Sequence, residues 1–259
     1  MNPNEAPIGV LDSGVGGISV LRELVRIMPR ENFIYYGDSL HAPYGTKPHD
    51  EVHQYVLQIV DYLLSYPVKE IVIACNTATS VSVRTLRSQF PDLPLVGIEP
   101  AIKPAAIQRP GSRVLVMATP MTLAEEKFAR NVSRFADQAT FIPLPCPGLM
   151  ELIEGGHLDD ALVRDYLTKL LGPYLTEPVG AIVLGCTHYP FVRRLVADIA
   201  GAGVLIVDGS AGTAREARRR LAEAGLLYEG TRIGQVTFYN STESEELLAL
   251  SKRLLDMPY

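Results

Sequence analysis

The chain states one short pattern twice. Residues 67–77 read PVKEIVIACNT and residues 178–188 read PVGAIVLGCTH. Each copy opens on Pro-Val, passes through a short apolar run and a small residue, and reaches a cysteine. The spacing from Pro67 to Pro178 equals that from Cys75 to Cys186. An apolar run of this length, bounded by a proline and a polar turn, reads as a buried strand. A strand repeated in this way restricts the fold to two related halves, each delivering one thiol. Two opposed acid/base groups of that kind can draw a proton from one face of a carbon and return it to the other.

The segments around the repeats alternate in period. IGVLD (8–12) reads as a buried strand, with Gly14, Gly16 and Gly17 in the turn after it and ISVLRELVRIM (18–28) at helical spacing. FIYYGD (33–38) is a second strand and HAPYGTKP a loop. Val52, Tyr55, Val56, Ile59, Val60 and Leu63 recur at steps of three and four, one face of a helix. EIVIACN is then a strand, SVRTLRSQF a helix and LPLVGIE a strand. After Ala101 the series restarts: RVLVMAT and TFIPLP are strands, LAEEKFARNVSRF and DDALVRDYLTKLL helices, AIVLGC and VLIVD strands. TAREARRRLAEAG (213–225) is a helix stopped by Gly225, VTFYN a strand, and ESEELLALSKRLL a closing helix. Strands alternating with helices predict an α/β fold with mostly parallel sheets. The expected organisation is two lobes, one from residues 1–99 with 210–259 and one from 100–209. Asp12, Cys75, Glu99, Thr119, Cys186 and Asp208 all fall at the carboxyl ends of strands, where ligands bind in such folds.

Composition narrows the functional classes. A net charge of −5 leaves no basic footprint for nucleic acid. No apolar run approaches the roughly 18–20 residues that cross a bilayer, and the opening MNPNEAP has no apolar signal core. A cytoplasmic protein is expected, with a small-molecule substrate, no nucleic-acid or membrane partner, and a homodimer held open as its assembly. Cys75, Cys146 and Cys186 lie far apart and form no CxxC pair. In a reducing compartment such thiols pack, or act as nucleophiles or bases, rather than pair as disulfides.

One cysteine at a strand end is ordinarily a packing residue. Here Asn76, Thr77 and Thr79 crowd Cys75 and a helix follows at once, with Ser80–Phe90 its expected span. The unpaired N–H groups and partial positive charge of a helix start favour a thiolate and bind a carboxylate. CTHY, ahead of Pro190, repeats the design with Thr187 and His188, and His188 is placed to act as a base for Cys186. The other histidines show no zinc spacing, so no metal is expected. DSGVGG matches the first two glycines of a GxGxxG fingerprint, but Ser19 stands where the third belongs. A tight strand-to-helix turn explains it, with a small-anion role for Ser13 and the loop N–H groups. A nucleotide-binding protein using this loop and Asp38 is the rival from a different class. The run Arg218–Arg220, set among glutamates, reads as a solvated helix face.

DSGVGG (12–17), YYGDSLHAPYG (35–45), IACNTATS (73–80), GIEPA (97–101) and LGCTHYP (184–190) together resemble the aspartate/glutamate racemase superfamily, and within it the glutamate racemase branch. The resemblance runs from Ile8 to about Asp208. It implies two pseudo-symmetric α/β lobes with the active site in the cleft between them. It implies Cys75 and Cys186 as catalytic acid/bases that racemise glutamate without any cofactor, supplying D-glutamate for peptidoglycan. Family substrate contacts map onto Asp12, Ser13, Tyr44, Gly45, Asn76, Thr77, Thr187 and His188. An assisting glutamate falls on Glu154 in LIEGG, with Glu151 one turn earlier as the other acid in reach. In the mechanism this implies, Asp12 serves Cys75, and His188 with Glu154 serves Cys186. Cys146 matches a position outside the catalytic pair. The nearer rival is an aspartate or related racemase or decarboxylase of the same superfamily.

Overall fold

The apolar runs become strands of two all-parallel sheets in the computed structural model, which describes residues 2–257. Of these, the residues up to Ile98 and from Ser210 onward form one compact unit, and Glu99–Gly209 form the other.

The first unit is built on β1 (Ile8–Asp12), β2 (Phe33–Gly37), β3 (Glu70–Ile73), β4 (Leu95–Gly97) and β9 (Val236–Asn240), ordered β4-β3-β1-β2-β9. The second carries β5 (Arg113–Ala118), β6 (Thr140–Pro145), β7 (Ala181–Leu184) and β8 (Leu205–Asp208), ordered β6-β5-β7-β8. Read from the other edge, the second order is β8-β7-β5-β6, the same path as β4-β3-β1-β2. β3 and β7, the two copies of the repeat, therefore hold the same place in their sheets. Each lies beside the first strand of its half, with Leu11 opposite Ile73 and Met117 opposite Leu184. Both strands are buried along their length, as parallel strands covered on two faces must be.

The covering helices of the first unit are α1 (Ile18–Ile27), α2 (His49–Leu64) and α3 (Asn76–Gln89); those of the second are α4 (Ile102–Gln108), α5 (Pro120–Ala124), α6 (Glu126–Ser133), α7 (Leu149–Glu154), α8 (Ala161–Leu171) and α9 (Arg193–Ala200). α10 (Ser210–Glu223) and α11 (Glu245–Asp256) pack on α1 in the first unit. The second core gathers Ile102, Val114, Val116, Phe128 and Val183. None of the helices is long and apolar enough to cross a membrane, among the described residues. In α10, Arg219 and Arg220 pair with Glu216 on their own helix, as a solvated face does.

Several elements differ from the sequence reading. LAEEKFARNVSRF is not one helix: Glu125 is extended and separates α5 from α6. α4, α7 and α9 are helices where none was expected; α4 and α7 are too short for a clear period, and α9 follows a 3-10 turn at Tyr189–Val192. The loop HAPYGTKP holds a 3-10 turn at Tyr44–Thr46 and the end of another at Ser39–His41. α3 starts four residues earlier than the expected Ser80 and takes in Asn76–Thr79 as its first turn.

Candidate active site

In the first unit, Cys75 is the N-cap of α3. Its backbone is extended while its Sγ accepts from the Ala78 N–H at 3.4 Å, the role a Ser or Asp oxygen commonly fills. The same sulfur lies 3.6 Å from Ser13 Oγ. Strand pairing sets this meeting, since Ala74 N donates to Leu11 O and carries the end of β3 alongside the end of β1. Asp12 is fully buried, and its Oδ1 accepts from Gly14 N at 3.0 Å. The DSGVGG turn thus gives one of its N–H groups to its own carboxylate, at the place where a dinucleotide fingerprint would present it to a phosphate. Tyr35 closes the turn from below by donating to Gly14 O at 2.7 Å.

Asn76 and Thr77 occupy the first turn of α3, both buried. Asn76 Oδ1 is buried with no hydrogen-bond partner among the described residues. A buried amide oxygen left open is costly to keep, and here it sits one residue from a thiol at a helix start. Tyr44 and Gly45 begin a 3-10 turn, so their N–H groups find no acceptor inside that turn. The Tyr44 side chain is fully enclosed, and its hydroxyl donates to Asp38 Oδ2 at 2.5 Å. Burial, followed by the charge of Asp38 and the hydrogen bond to it, pushes the Tyr44 phenol far up, and Cys75 and Asp12 lie close enough to add to the effect. The hydroxyl is committed to Asp38, so whatever this residue offers a ligand comes from its backbone.

In the second unit, Cys186 follows β7 as Cys75 follows β3, but its surroundings differ. No α-helix starts at the sulfur. Pro190 falls in the first turn of the 3-10 segment Tyr189–Val192, and α9 begins only at Arg193. The expectation that CTHY would repeat the helix start of CNTATS is corrected here. A histidine stands in its place. His188 Nδ1 lies 3.7 Å from Cys186 Sγ, and its Nε2 lies 2.7 Å from Glu154 Oε1. Burial opposes charge on His188, but its hydrogen bonds to Cys186 and Glu154 and their negative charges outweigh it, holding the imidazole well above its ordinary value. Thr187 is buried beside them. Glu154 ends α7 facing His188, whereas Glu151 is exposed.

Cys146 is buried in the same unit, and its Sγ–H donates to Leu144 O at 3.3 Å. Burial, with the nearby Cys186 charge, pushes this thiol up to about 12, so it stays neutral beside Cys186. No group of three or more His, Cys, Asp or Glu among the described residues could hold a metal ion. Asp38, named from sequence only as the acid of the rival nucleotide site, and His41, which no sequence reading singled out, join Tyr44 in one hydrogen-bonded group. Only the YGDSLHAPYG segment itself hinted at them.

Comparison with known proteins bears on the family and the fold. Residues 8–217 match the family model described as Asp/Glu/hydantoin racemase. The glutamate racemase of Clostridium perfringens (strain SM101 / Type A) is 47% identical over 252 residues, 97% of each chain. The crystal structure of glutamate racemase from Francisella tularensis in complex with D-glutamate superposes with a TM-score of 0.85 at 27% identity, covering 98% of this chain and 95% of that one. Escherichia coli glutamate racemase, in complex with L-glutamate and the activator UDP-MurNAc-ala, gives a TM-score of 0.85 at 32% identity, covering 96% and 95%.

Proposed function

The chain belongs to the Asp/Glu/hydantoin racemase family, and on that premise we propose that it interconverts L- and D-glutamate by proton transfer between two cysteines, without a cofactor. The observation that carries the reading is the pair of matched thiols. Cys75 and Cys186 follow corresponding strands of two sheets that share a four-strand path, and each has its own polar support: Ser13 and the Ala78 N–H for one, His188 and Glu154 for the other. Full-length relatives that share 46–47% of their residues with this chain are glutamate racemases, which favours glutamate over aspartate.

In the proposed cycle one cysteine starts as thiolate and the other as thiol. The thiolate sulfur takes the α-proton as the C–H bond breaks, and its electron pair stays on the α-carbon. The thiol then gives its proton to the opposite face of the flattened carbon and is left as thiolate. The two sulfurs have exchanged states, and the next turnover runs from the other enantiomer. The α-proton is far less acidic than a thiol, so the carbanion needs preorganised partners. Asn76 and Thr77 at the start of α3, with Thr187, are assigned to the α-carboxylate and its developing charge. Asp12 is assigned to Cys75, and His188 with Glu154 to Cys186. Ser13 and the N–H groups of Tyr44 and Gly45 are assigned to the side-chain carboxylate. A cytoplasmic location, supply of D-glutamate to peptidoglycan and a homodimer belong to the same proposal; sedimentation tests the last.

Single Cys75→Ser and Cys186→Ser variants, each given either enantiomer in deuterated water, test the mechanism. Racemisation followed by circular dichroism is expected to fall at least 10²-fold to 10⁴-fold in each, the usual worth of a positioned acid/base. Either variant racemising within tenfold of wild type sinks the two-thiol reading.

A further inference from the structure

Asp38 follows the carboxyl end of β2, and its N–H donates to Asp12 O at 2.9 Å, so its backbone is set by the strand that ends in the candidate site. Its side chain is almost wholly buried. Three residues on, His41 places Nδ1 at 2.9 and 3.0 Å from the two carboxylate oxygens. Six residues on, Tyr44 donates its hydroxyl to Oδ2 at 2.5 Å. One carboxylate therefore gathers both ends of the turn that leads to Tyr44 and Gly45. The outer side is held too. His41 stacks on Tyr55 of α2 with ring centroids 3.9 Å apart, Asn240 Nδ2 donates to Ser39 Oγ, and Leu40 N donates to Ser241 Oγ.

A buried carboxylate is stable only when donors are aimed at it, and here the donors are the loop. We propose that Asp38 is a positioning residue, fixing through Tyr44 and His41 the loop whose Tyr44–Gly45 N–H groups bind the substrate's side-chain carboxylate. The inference rests on the function proposed above for the identity of the substrate, but the clamp itself is a property of the loop. Asp38 touches no reacting atom. Loosening it leaves the two thiols and their supports in place and costs the loop its fixed conformation, which substrate must then restore on binding. The loss falls on KM.

The test uses Asp38→Ala, Asp38→Asn, Tyr44→Phe and the double variant Asp38→Ala/Tyr44→Phe of the full chain. Asp38→Ala is expected to raise KM for glutamate by about tenfold, equivalent to about 1.4 kcal/mol, with kcat within about threefold. The double variant is expected to be no worse than Asp38→Ala, because both remove the same bond. Asp38→Asn should restore most of the loss, since its amide oxygen still accepts from Tyr44. Hydrogen exchange of the peptide spanning residues 38–47 should quicken in Asp38→Ala and return towards wild type in Asp38→Asn. Additive effects, a fall in kcat with KM unchanged, or unaltered exchange would each overturn the clamp. If the alanine variant does not fold, Tyr44→Phe carries the same exchange prediction. A wild-type protein that does not racemise glutamate overturns the function reading, and the clamp then stands or falls on the exchange data alone.

Discussion

Of the side chains around the two thiols, His188 has the most constrained chemistry. It is buried between a sulfur and a carboxylate, and their charges hold its proton well beyond the pH at which a free imidazole would lose it. In the cycle proposed above, a cation in this place is what would assist Cys186 as the base that takes the α-proton. Glu154→Gln removes one of the two charges that hold the imidazolium, so His188 should lose its proton at lower pH. The alkaline limb of the kcat/KM profile is expected to move to lower pH and the plateau to fall. An unchanged profile would show that Glu154 does not act through His188. Cys146 illustrates the opposite outcome at the same scale: buried and bonded to a carbonyl, it remains a thiol. The family resemblance set Cys146 apart from the catalytic pair, but the physical reason is not in the letters, because a cysteine or histidine reads the same whether it meets a carboxylate or a carbonyl.

Among the elements, the strand-to-helix turn after β1 shows why the glycines of DSGVGG matter without any bound nucleotide. A methyl group built on Gly17 would lie 2.6 Å from the Asp12 Cβ, 2.9 Å from the Ala74 Cβ and 3.0 Å from the Tyr35 hydroxyl. Two of these neighbours are fixed directly to backbone, so neither can swing aside. Gly17→Ala should therefore cost about 1–3 kcal/mol, as overpacking does, and push Asp12 out of register. A drop of several degrees in Tm together with a loss of activity is expected; a variant with wild-type Tm and turnover would contradict the close approach. The helix following Cys75 was legible as a helix, yet its first turn was not. Asn76, Thr77 and Thr79 have weak helix propensity, and it is the capping sulfur that commits them to the turn. The second copy instead carries Pro190 in the first turn of a 3-10 segment.

At the level of the whole molecule, stability is expected to depend on pH through Glu70, at the start of β3 and far along the strand from Cys75. Its carboxylate is buried, and neither oxygen has a hydrogen-bond partner among the described residues. Burial raises it to about 9; Arg220 and Lys69 pull it down, and Glu31 and Glu216 push it up. An unfolded glutamate loses its proton near about 4.3. Between these values the folded chain holds a proton the unfolded chain has lost. Glu70's contribution is therefore fully present below the lower value, is lost as pH rises through the window by at most about 1.4 kcal/mol per unit, and levels off above about 9. Thermal melts of Glu70→Gln against wild type should show the variant gaining relative stability as pH rises from about 5 to about 9. A difference that stays constant with pH would mean Glu70 is already ionised. Nearby, Lys69 joins Glu31 at 2.5 Å and also donates to Asn4 O and Leu226 O, tying the chain's return segment to the foot of the first sheet.

The order of letters was enough to place most strands, the two thiols and the family, because apolar period, turn residues and an internal repeat are carried by near neighbours along the chain. The shared path β4-β3-β1-β2 and β8-β7-β5-β6 fits the two related halves that the repeated segment predicts, while the order of the strands came only with the fold. What waited for coordinates was the company each thiol keeps. The choice of Glu154 over Glu151, the partner on the Tyr44 hydroxyl, the open oxygen of Asn76 and the neutrality of Cys146 are set where separate elements pack together. Hydrogen bonds and desolvation depend on distances of a few ångströms between residues many positions apart, and only the folded chain brings those distances into being.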